Sequence, residues 1–268
     1  TLLGLFYQTL SARIGVVTQR NLARLCALQF STSSRYILWI AMELAIIGSD
    51  IQEVLGSATA LNILFGLKIW IGVLVTIFDS FLFLMIHYWG VRKLEAFFAI
   101  LILVMGITFW ANMINAQPDA GSILFGTFVP TIPAGGLPAA IAMFGAVIMP
   151  HNLYLHSALV LTRQVDIKSK NQINQANFYN NIESSISLFA SYLITMAVVV
   201  TFAVYIEENP GAKTDLNLNE GSDALVSLLG ESAKYFWAIG LLAAGQTATM
   251  TGTYAGQFVM EGFLDLKL

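Results

Sequence analysis

Residues 145–155 read GAVIMPHNLYL, and a proline interrupts this otherwise apolar run near its centre. In a continuous α-helix the amide of residue 150 would donate a hydrogen bond to the carbonyl of residue 146, but Pro150 has no N–H. The Ala146 carbonyl therefore needs another partner. Two explanations fit the break: a plain proline kink whose carbonyl is re-satisfied by neighbouring helices, or an ion site at membrane depth.

The side chains beside the break make an ion site as good an explanation as a kink. Met149 carries a soft thioether, and His151 and His156 titrate near neutral pH. The histidines are five residues apart, about 140° around a regular helix, so they cannot both ligate one ion from it. This spacing argues against the histidine pair of a zinc protease. A lone histidine in an apolar helix is usually a core residue, but two close to a helix break favour proton handling.

The composition indicates a polytopic membrane protein. The chain is 57% hydrophobic and 11% charged, whereas soluble domains have about 25% charged residues. Residues 1 to about 18 look like the end of one spanning helix. A spanning helix needs roughly 20 apolar residues, and further segments of this kind are predicted at about 35–64, 69–89, 93–114, 137–162, 179–206 and 233–264. The net charge is −3, and the sequence has no long basic block, so nothing supports nucleic-acid binding. One cysteine excludes intrachain disulfides and multi-thiolate metal sites.

The connections between the predicted spans do not look like domain linkers. Residues 115–136 are rich in Pro and Gly, and residues 207–232 are acidic and polar. We therefore expect residues 1–268 to form a single transmembrane domain, and the opening in mid-helix without an initiator methionine suggests a fragment of a longer protein. Lysine and arginine are concentrated in alternate loops, which predicts a cytoplasmic side that includes Arg92, Lys93 and Lys267. This pattern is the same for plasma, endosomal and vacuolar membranes.

Acidic side chains inside a span are costly, by about 2.5–3.5 kcal/mol each at a helix centre, so each needs an explanation. In the 35–64 segment Glu43, Asp50, Glu53 and Ser57 are spaced by 7, 3 and 4 residues, which places them on one helical stripe. The stripe could relay protons, or it could pair with basic groups elsewhere; the charge pattern leaves both open. Glu183 is interpreted as an interfacial or capping residue near the start of its helix.

The last predicted helix contains GQTATMTGTYAGQFVMEGF. Gln246, Thr249, Thr253 and Gln257 share one face, which suits an aqueous path. The small residues Ala248, Gly252 and Gly256 form a second stripe that predicts close helix packing. Tight packing alone would explain the small residues without any transport.

Four stretches together resemble one family: AVIMPHNLYLHSALV, ELAIIGSDIQEVLGSA, GVRKLEAFF and AAGQTATMTGTYAGQFVMEGF. They are similar to the Nramp family of proton-coupled divalent metal transporters, over essentially the whole chain. The resemblance implies an all-α polytopic membrane protein with the LeuT-like inverted-repeat fold. The chain would correspond to part of the family's second transmembrane helix through its eighth.

The resemblance also implies roles for the residues singled out above. The Pro150 break falls in the family's interrupted sixth helix, so the Ala146 carbonyl and the Met149 sulfur would be metal ligands. Asp50, Glu53, His151 and His156 match positions that the family associates with proton movement and gating. The family's first helix adds an Asp and an Asn from a DPGN motif, which does not occur in this chain; we expect it upstream of residue 1.

The predicted function is therefore proton-coupled transport of Mn²⁺, Fe²⁺ and similar ions by alternating access. The metal is a substrate, so no cofactor and no enzymatic activity are expected, and the partners are metal ions, protons and the lipid bilayer. Two alternatives remain. A non-transporting metal sensor or assembly partner would keep the fold, and a membrane-embedded metalloenzyme would need a complete ligand set with a catalytic base.

Overall fold

The computed structural model describes residues 1–78, 99–100, 102–104, 106–107, 109–111, 113–163, 165–209, 211 and 216–265. In this part of the chain all regular secondary structure is helical. The later part of the predicted 69–89 span, the start of the 93–114 span and the GVRKLEAFF motif lie outside the described residues. So do the basic residues Arg92, Lys93 and Lys267.

The helices are numbered in chain order, and residues 79–98, between the fourth and the fifth, lie outside the described part. They are α1 Leu2–Thr18, α2 Leu22–Gln29, α3 Thr32–Phe65, α4 Ile69–Phe78, α5 Ile102–Asn115, α6 Ala120–Phe128, α7 Leu137–Val147, α8 Pro150–Leu159, α9 Lys170–Glu208, α10 Leu218–Leu229 and α11 Ala233–Leu264. A short 3₁₀ turn, Val160–Thr162, extends α8. The all-α prediction agrees with this architecture.

Three short helices lie in segments that the sequence predicted to be connections: α2, α6 and α10. Each begins at a polar side chain that accepts a backbone N–H in the first turn. Asn21 accepts from the Arg24 amide at 2.8 Å. Asn217 accepts from the Glu220 amide while the Glu220 carboxylate accepts from the Asn217 amide, each at 2.9 Å, a complete capping box. Polar composition was therefore a poor guide to the connections, because polar residues occur in loops and also cap the starts of helices.

Asp119 caps α6 from the solvent side. Its carboxylate accepts from the Ser122 amide at 2.6 Å. Hydrogen bonds from the Ser122 side chain and from the Ser122 and Gly121 amides lower the pKa of Asp119 below its usual value. Because the pKa of Asp119 is lowered in the folded protein, its carboxylate stays charged and keeps capping the helix as the pH falls, until the pH reaches that lowered pKa.

Two helical stretches among the described residues are long and apolar enough to cross a membrane, Leu137–Thr162 and Lys170–Glu208. Only 11% of the most apolar window of each is buried inside the protein, so their apolar side chains face outward, as lipid contact requires. The helices Thr32–Phe65 and Ile69–Phe78 are bent by 117° at the break between them, and they make a third candidate span if the pair counts as one. Helices α3 and α11 are also long, but the charged residues in the middle of α3 and the polar run in α11 make them less apolar.

The described chain gathers into two compact units. The first contains Thr1–Ser49, Ile132–Tyr192 and Thr251–Leu268, and the second contains Asp50–Thr131 and Leu193–Met250. The single-domain organisation stays a prediction. A core cluster of the first unit is formed by Ala23, Ile46, Tyr154, Val259 and Phe263. A core cluster of the second is formed by Phe109, Met113, Ala197, Leu225 and Ala233.

Helix α8 is held in the first unit by close contact with α1 and the start of α2. The Ser11 hydroxyl of α1 donates to the Leu153 carbonyl of α8. The Leu22 amide donates to the Ser157 hydroxyl at 2.8 Å. At Gly15 the two helices touch backbone to backbone, since a Cβ there would lie 2.5 Å from the Ser157 carbonyl oxygen and from a Val160 methyl.

In the second unit, α3 and α11 meet at Gly245. A Cβ added there would overlap the Ser57 hydroxyl and lie 2.9 Å from the Glu53 carbonyl oxygen. The sequence placed the close approach at the stripe that includes Gly256 instead. At Gly256 the prediction is wrong, because no described residue lies within 4 Å of a Cβ there. Gly245 lies about three turns earlier in the same helix. Gly262, in the part of this helix that belongs to the first unit, also approaches a neighbouring backbone, since a Cβ there would lie 2.9 Å from the Arg24 amide nitrogen.

Gly15→Ala should destabilise the protein, because the new methyl collides with the backbone of α8. Overpacking of this kind typically costs about 1–3 kcal/mol. The apparent melting temperature of the detergent-solubilised protein should fall by several degrees. Gly4→Ala in the same helix is the matched control, since none of the described residues lies within 4 Å of a Cβ at Gly4. Equal melting temperatures for the two variants would contradict the proposed α1–α8 contact.

Gly245→Ala should likewise lower the melting temperature, because its methyl overlaps the Ser57 hydroxyl of α3. The Gly256→Ala methyl meets no atom within 4 Å in the part of the chain that the structure describes. The substitution also gains helix propensity of about 1 kcal/mol, so it should be neutral or slightly stabilising. Thermal unfolding of both variants in the same detergent provides the comparison. A Gly245→Ala protein as stable as Gly256→Ala would show that α3 and α11 are not this close.

Candidate metal and proton site

The apolar run around Pro150 is divided into two helices. Helix α7 ends at Val147, and α8 begins at Pro150. Between them Ile148 has φ −106° and ψ 69°, and Met149 is extended with φ −67° and ψ 116°. Proline suits the first position of α8, because its φ is already helical and an amide there would have no partner within the helix. The break is therefore built into the backbone by residue type.

The break exposes two groups that can face a cation. Ala146 lies in the last turn of α7, where helix carbonyls lack intrahelical partners and carry the negative end of the helix dipole. Met149 is partly exposed, and its sulfur accepts from the Asn152 side-chain amide at 3.4 Å. A carbonyl oxygen and a thioether together offer one hard and one soft ligand.

Clusters of three or more His, Cys, Asp or Glu side chains able to hold a metal do not occur among the residues that the structure describes. The Ala146 carbonyl and the Met149 thioether do not come from any of these four residue types. Two ligands also form only part of a coordination sphere. A carbonyl–thioether pair also differs from the usual zinc ligands, Cys, His and carboxylate. Among the described residues, the break thus offers two candidate ligands and not a complete coordination sphere.

The two histidines of α8 have different surroundings. His151, in the first turn, is 3% exposed, and its Nδ1 has no hydrogen-bond partner within the described part of the chain. His156 is half-buried, and its Nε2 lies 3.3 Å from the Ser184 hydroxyl of α9. A buried imidazole nitrogen without a partner is costly. The Nδ1 atom of His151 therefore needs a partner that the described residues do not supply.

A polar cluster that the sequence analysis missed lies beside His156. Arg163 pairs with Glu183 at 2.5 Å and donates to the Asn180 side chain at 2.8 Å. Glu183 lies well inside α9 rather than near its start, so its interpretation as a capping residue is wrong. Together with neighbouring side chains the cluster lines an open pocket of about 230 Å³, formed by Gln8, His156, Leu159, Val160, Arg163, Asn180, Glu183, Ser184 and Ser187. Sequence spacing gave no signal for it, because α8 and α9 meet only in the fold.

The carboxylates of α3 do not share one environment. Glu43 accepts a hydrogen bond from the Trp39 indole at 3.0 Å, so a neighbouring side chain satisfies it. Asp50 is half-buried, and its Oδ1 has no hydrogen-bond partner among the described residues. Glu53 is also half-buried, one turn further along the helix. Asp50 thus differs from Glu43, whose carboxylate already has a partner on the same helix.

The predicted polar face of α11 varies along its length. Gln246 is 4% exposed, and its Oε1 lacks a partner in the described chain. Thr249 donates to the Gly245 carbonyl at 2.9 Å. Thr253 is exposed, and the Gln257 amide donates to the Glu261 carboxylate at 2.9 Å. Gln246 is therefore the residue of this face whose polar group most needs water or another partner.

The predicted site residues are divided between the two compact units. The first unit contains Ala146, Met149, Pro150, His151, His156, Thr253 and Gln257, and the second contains Asp50, Glu53, Gln246 and Thr249. Asn152, which contacts Met149, was missed by the sequence analysis. Its position three residues after Met149 in a helix start was the available signal.

Known proteins resemble this chain over its whole length. It is 47% identical to the Dictyostelium discoideum metal transporter nramp1 homolog and to the Mus musculus natural resistance-associated macrophage protein 2. Both alignments cover 100% of this chain, but 50% and 52% of the relatives. The chain therefore spans about half the length of these relatives.

Solved structures agree with the sequence relatives. The structure of a manganese transporter from Eremococcus coleocola, in complex with an aromatic bis-isothiourea substituted compound, matches with a TM-score of 0.80 and 32% identity. The match covers 100% of this chain and 58% of that one. The LeuT-like fold of a partial chain, predicted from the motifs, is confirmed by this match. Since the family model for natural resistance-associated macrophage protein-like proteins also matches residues 1–268, this chain belongs to the Nramp family of integral, multi-pass membrane proteins.

Proposed function

We propose that the protein containing this chain transports divalent transition-metal ions, such as Mn²⁺ and Fe²⁺, across a membrane by proton-coupled alternating access. The observation that carries the proposal is the interrupted helix, with Met149 extended between α7 and α8. Helix breaks at which carbonyls and half-helix ends face an ion are the usual binding device of such transporters. The names of the relatives, a metal transporter and a manganese transporter, support this substrate class.

In this proposal the Ala146 carbonyl and the Met149 sulfur hold the metal. The thioether provides selectivity, because Ca²⁺ and Mg²⁺ prefer oxygen ligands whereas later divalent ions accept sulfur more readily. The remaining ligands would come from outside this chain, as the family's DPGN motif implies. The metal is cargo, so no catalytic residue and no resident cofactor are assigned.

Protons would move through Asp50, Glu53, His151 and His156. The support is the buried Asp50 oxygen and the buried His151 nitrogen, neither of which has a hydrogen-bond partner among the described residues. Ionisable groups at membrane depth are costly, and a proton pathway is a common reason for retaining them. Gln246, Thr249, Thr253 and Gln257 would provide polar contacts along α11 for an aqueous path.

Met149→Ala in the full-length protein should weaken discrimination against Ca²⁺ and leave Mn²⁺ uptake measurable, because the soft ligand is lost and oxygen ligands remain. Uptake of Mn²⁺ with and without competing Ca²⁺ in proteoliposomes measures the effect. Met143→Ala is the matched control, since Met143 is 60% exposed in α7 and is not assigned to the site. Unchanged Ca²⁺ exclusion in Met149→Ala would refute the sulfur's role.

Asp50→Asn should abolish or uncouple metal-driven acidification, because an amide cannot carry the proton. A pH-sensitive dye inside proteoliposomes reports acidification, and a metal-sensitive dye reports uptake in the same preparation. Glu43→Gln is the control on the same helix, since its remaining carbonyl can still accept from the Trp39 indole; it should keep coupling. Normal acidification with Asp50→Asn would show that this carboxylate is structural.

A further inference from the structure

Asn152 contacts the proposed metal ligand Met149 from within the same stretch of chain. It lies in the first turn of α8, and its backbone amide donates to the Met149 carbonyl at 3.2 Å. Its side-chain amide donates to the Met149 sulfur at 3.4 Å. Two hydrogen bonds, one to the backbone and one to the side chain, thus join Asn152 to the residue at the helix break.

The side-chain bond restrains a side chain that is otherwise flexible. Methionine has three rotatable bonds and a soft, adaptable thioether, so an unrestrained Met149 would lose considerable rotamer freedom on binding a metal. A thioether sulfur has two lone pairs. One can accept the Asn152 N–H while the other faces an ion, so the hydrogen bond and metal binding are compatible.

The surroundings of the Asn152 side-chain oxygen bear on which way the amide group is turned. The Oδ1 atom is buried and has no hydrogen-bond partner within the described part of the chain. Turning the amide over would place this oxygen against the sulfur lone pairs and lose the N–H···S bond. The orientation with the NH₂ group towards sulfur is therefore the favourable one, even though its buried oxygen carries a cost.

We infer that Asn152 is a positioning residue that holds the Met149 thioether ready for a soft metal ion and thereby sharpens selectivity for such ions. This inference rests on the proposed function, because it takes Met149 as a ligand. Hydrogen bonds to a ligand from a neighbouring side chain commonly orient it and tune its affinity. Asn152 itself is not assigned as a ligand.

The test is a double-mutant cycle on the full-length protein with Cd²⁺ as a soft probe and Mn²⁺ as a harder one, each measured by isothermal titration calorimetry. Asn152→Leu, similar in size and without a donor, should weaken Cd²⁺ binding about two- to tenfold, the effect of freeing one ordered side chain. Mn²⁺ binding should change less. In the Met149→Ala background, Asn152→Leu should have no further effect on Cd²⁺.

The outcomes separate the inference from the function beneath it. Equal losses for Cd²⁺ and Mn²⁺, or the same Asn152→Leu loss with and without Met149, would overturn the positioning role while leaving the metal site intact. Cd²⁺ binding by Met149→Ala at the level of the unmodified protein would instead overturn the ligand assignment. Should Asn152→Leu fail to fold, Asn152→Ser replaces it, because a serine hydroxyl is too short to reach the sulfur and must give the same coupled loss.

Discussion

The absence of an N–H on Pro150 is the constraint on which the proposed site depends. It removes the hydrogen bond that would continue α7 into α8, so the chain passes through Ile148 and Met149 in non-helical conformations. A carbonyl end, an extended thioether residue and a helix start then meet within a few residues. Because the break is covalent in origin, it does not require strain elsewhere in the fold to maintain it.

The two halves of the interrupted helix are packed very differently in the described chain. Helix α7 has no buried residue, whereas α8 buries His151 and Tyr154 among others. Gly15 and Ser11 bring α1 against α8, and the Leu22 amide binds Ser157. The half that carries the histidines is therefore firmly held within its unit. The outward-facing α7 offers its apolar surface to lipid or to helices beyond this chain.

Polar groups on the site helices fall into satisfied and unsatisfied classes, and this division organises the functional proposal. Glu43 is satisfied by the Trp39 indole, and His156 lies beside the Ser184 hydroxyl. Asp50 and His151 each retain a buried atom without a partner among the described residues. Since unsatisfied buried polar atoms are rare and costly, the residues that bear them are the better candidates for exchanging protons or contacting water.

The sequence by itself determined the membrane class, the family motifs and the break at Pro150, because these depend on composition and on the covalent chemistry of proline. It also identified Met149 and Asp50 as candidates from residue type and spacing. Only the tertiary structure decided that Gly245 and Gly262 are the glycines of α11 that closely approach a neighbouring backbone, that Arg163 pairs with Glu183, and that Asn152 reaches the Met149 sulfur. Those facts depend on which helices meet and how side chains turn, and neither is encoded in local periodicity.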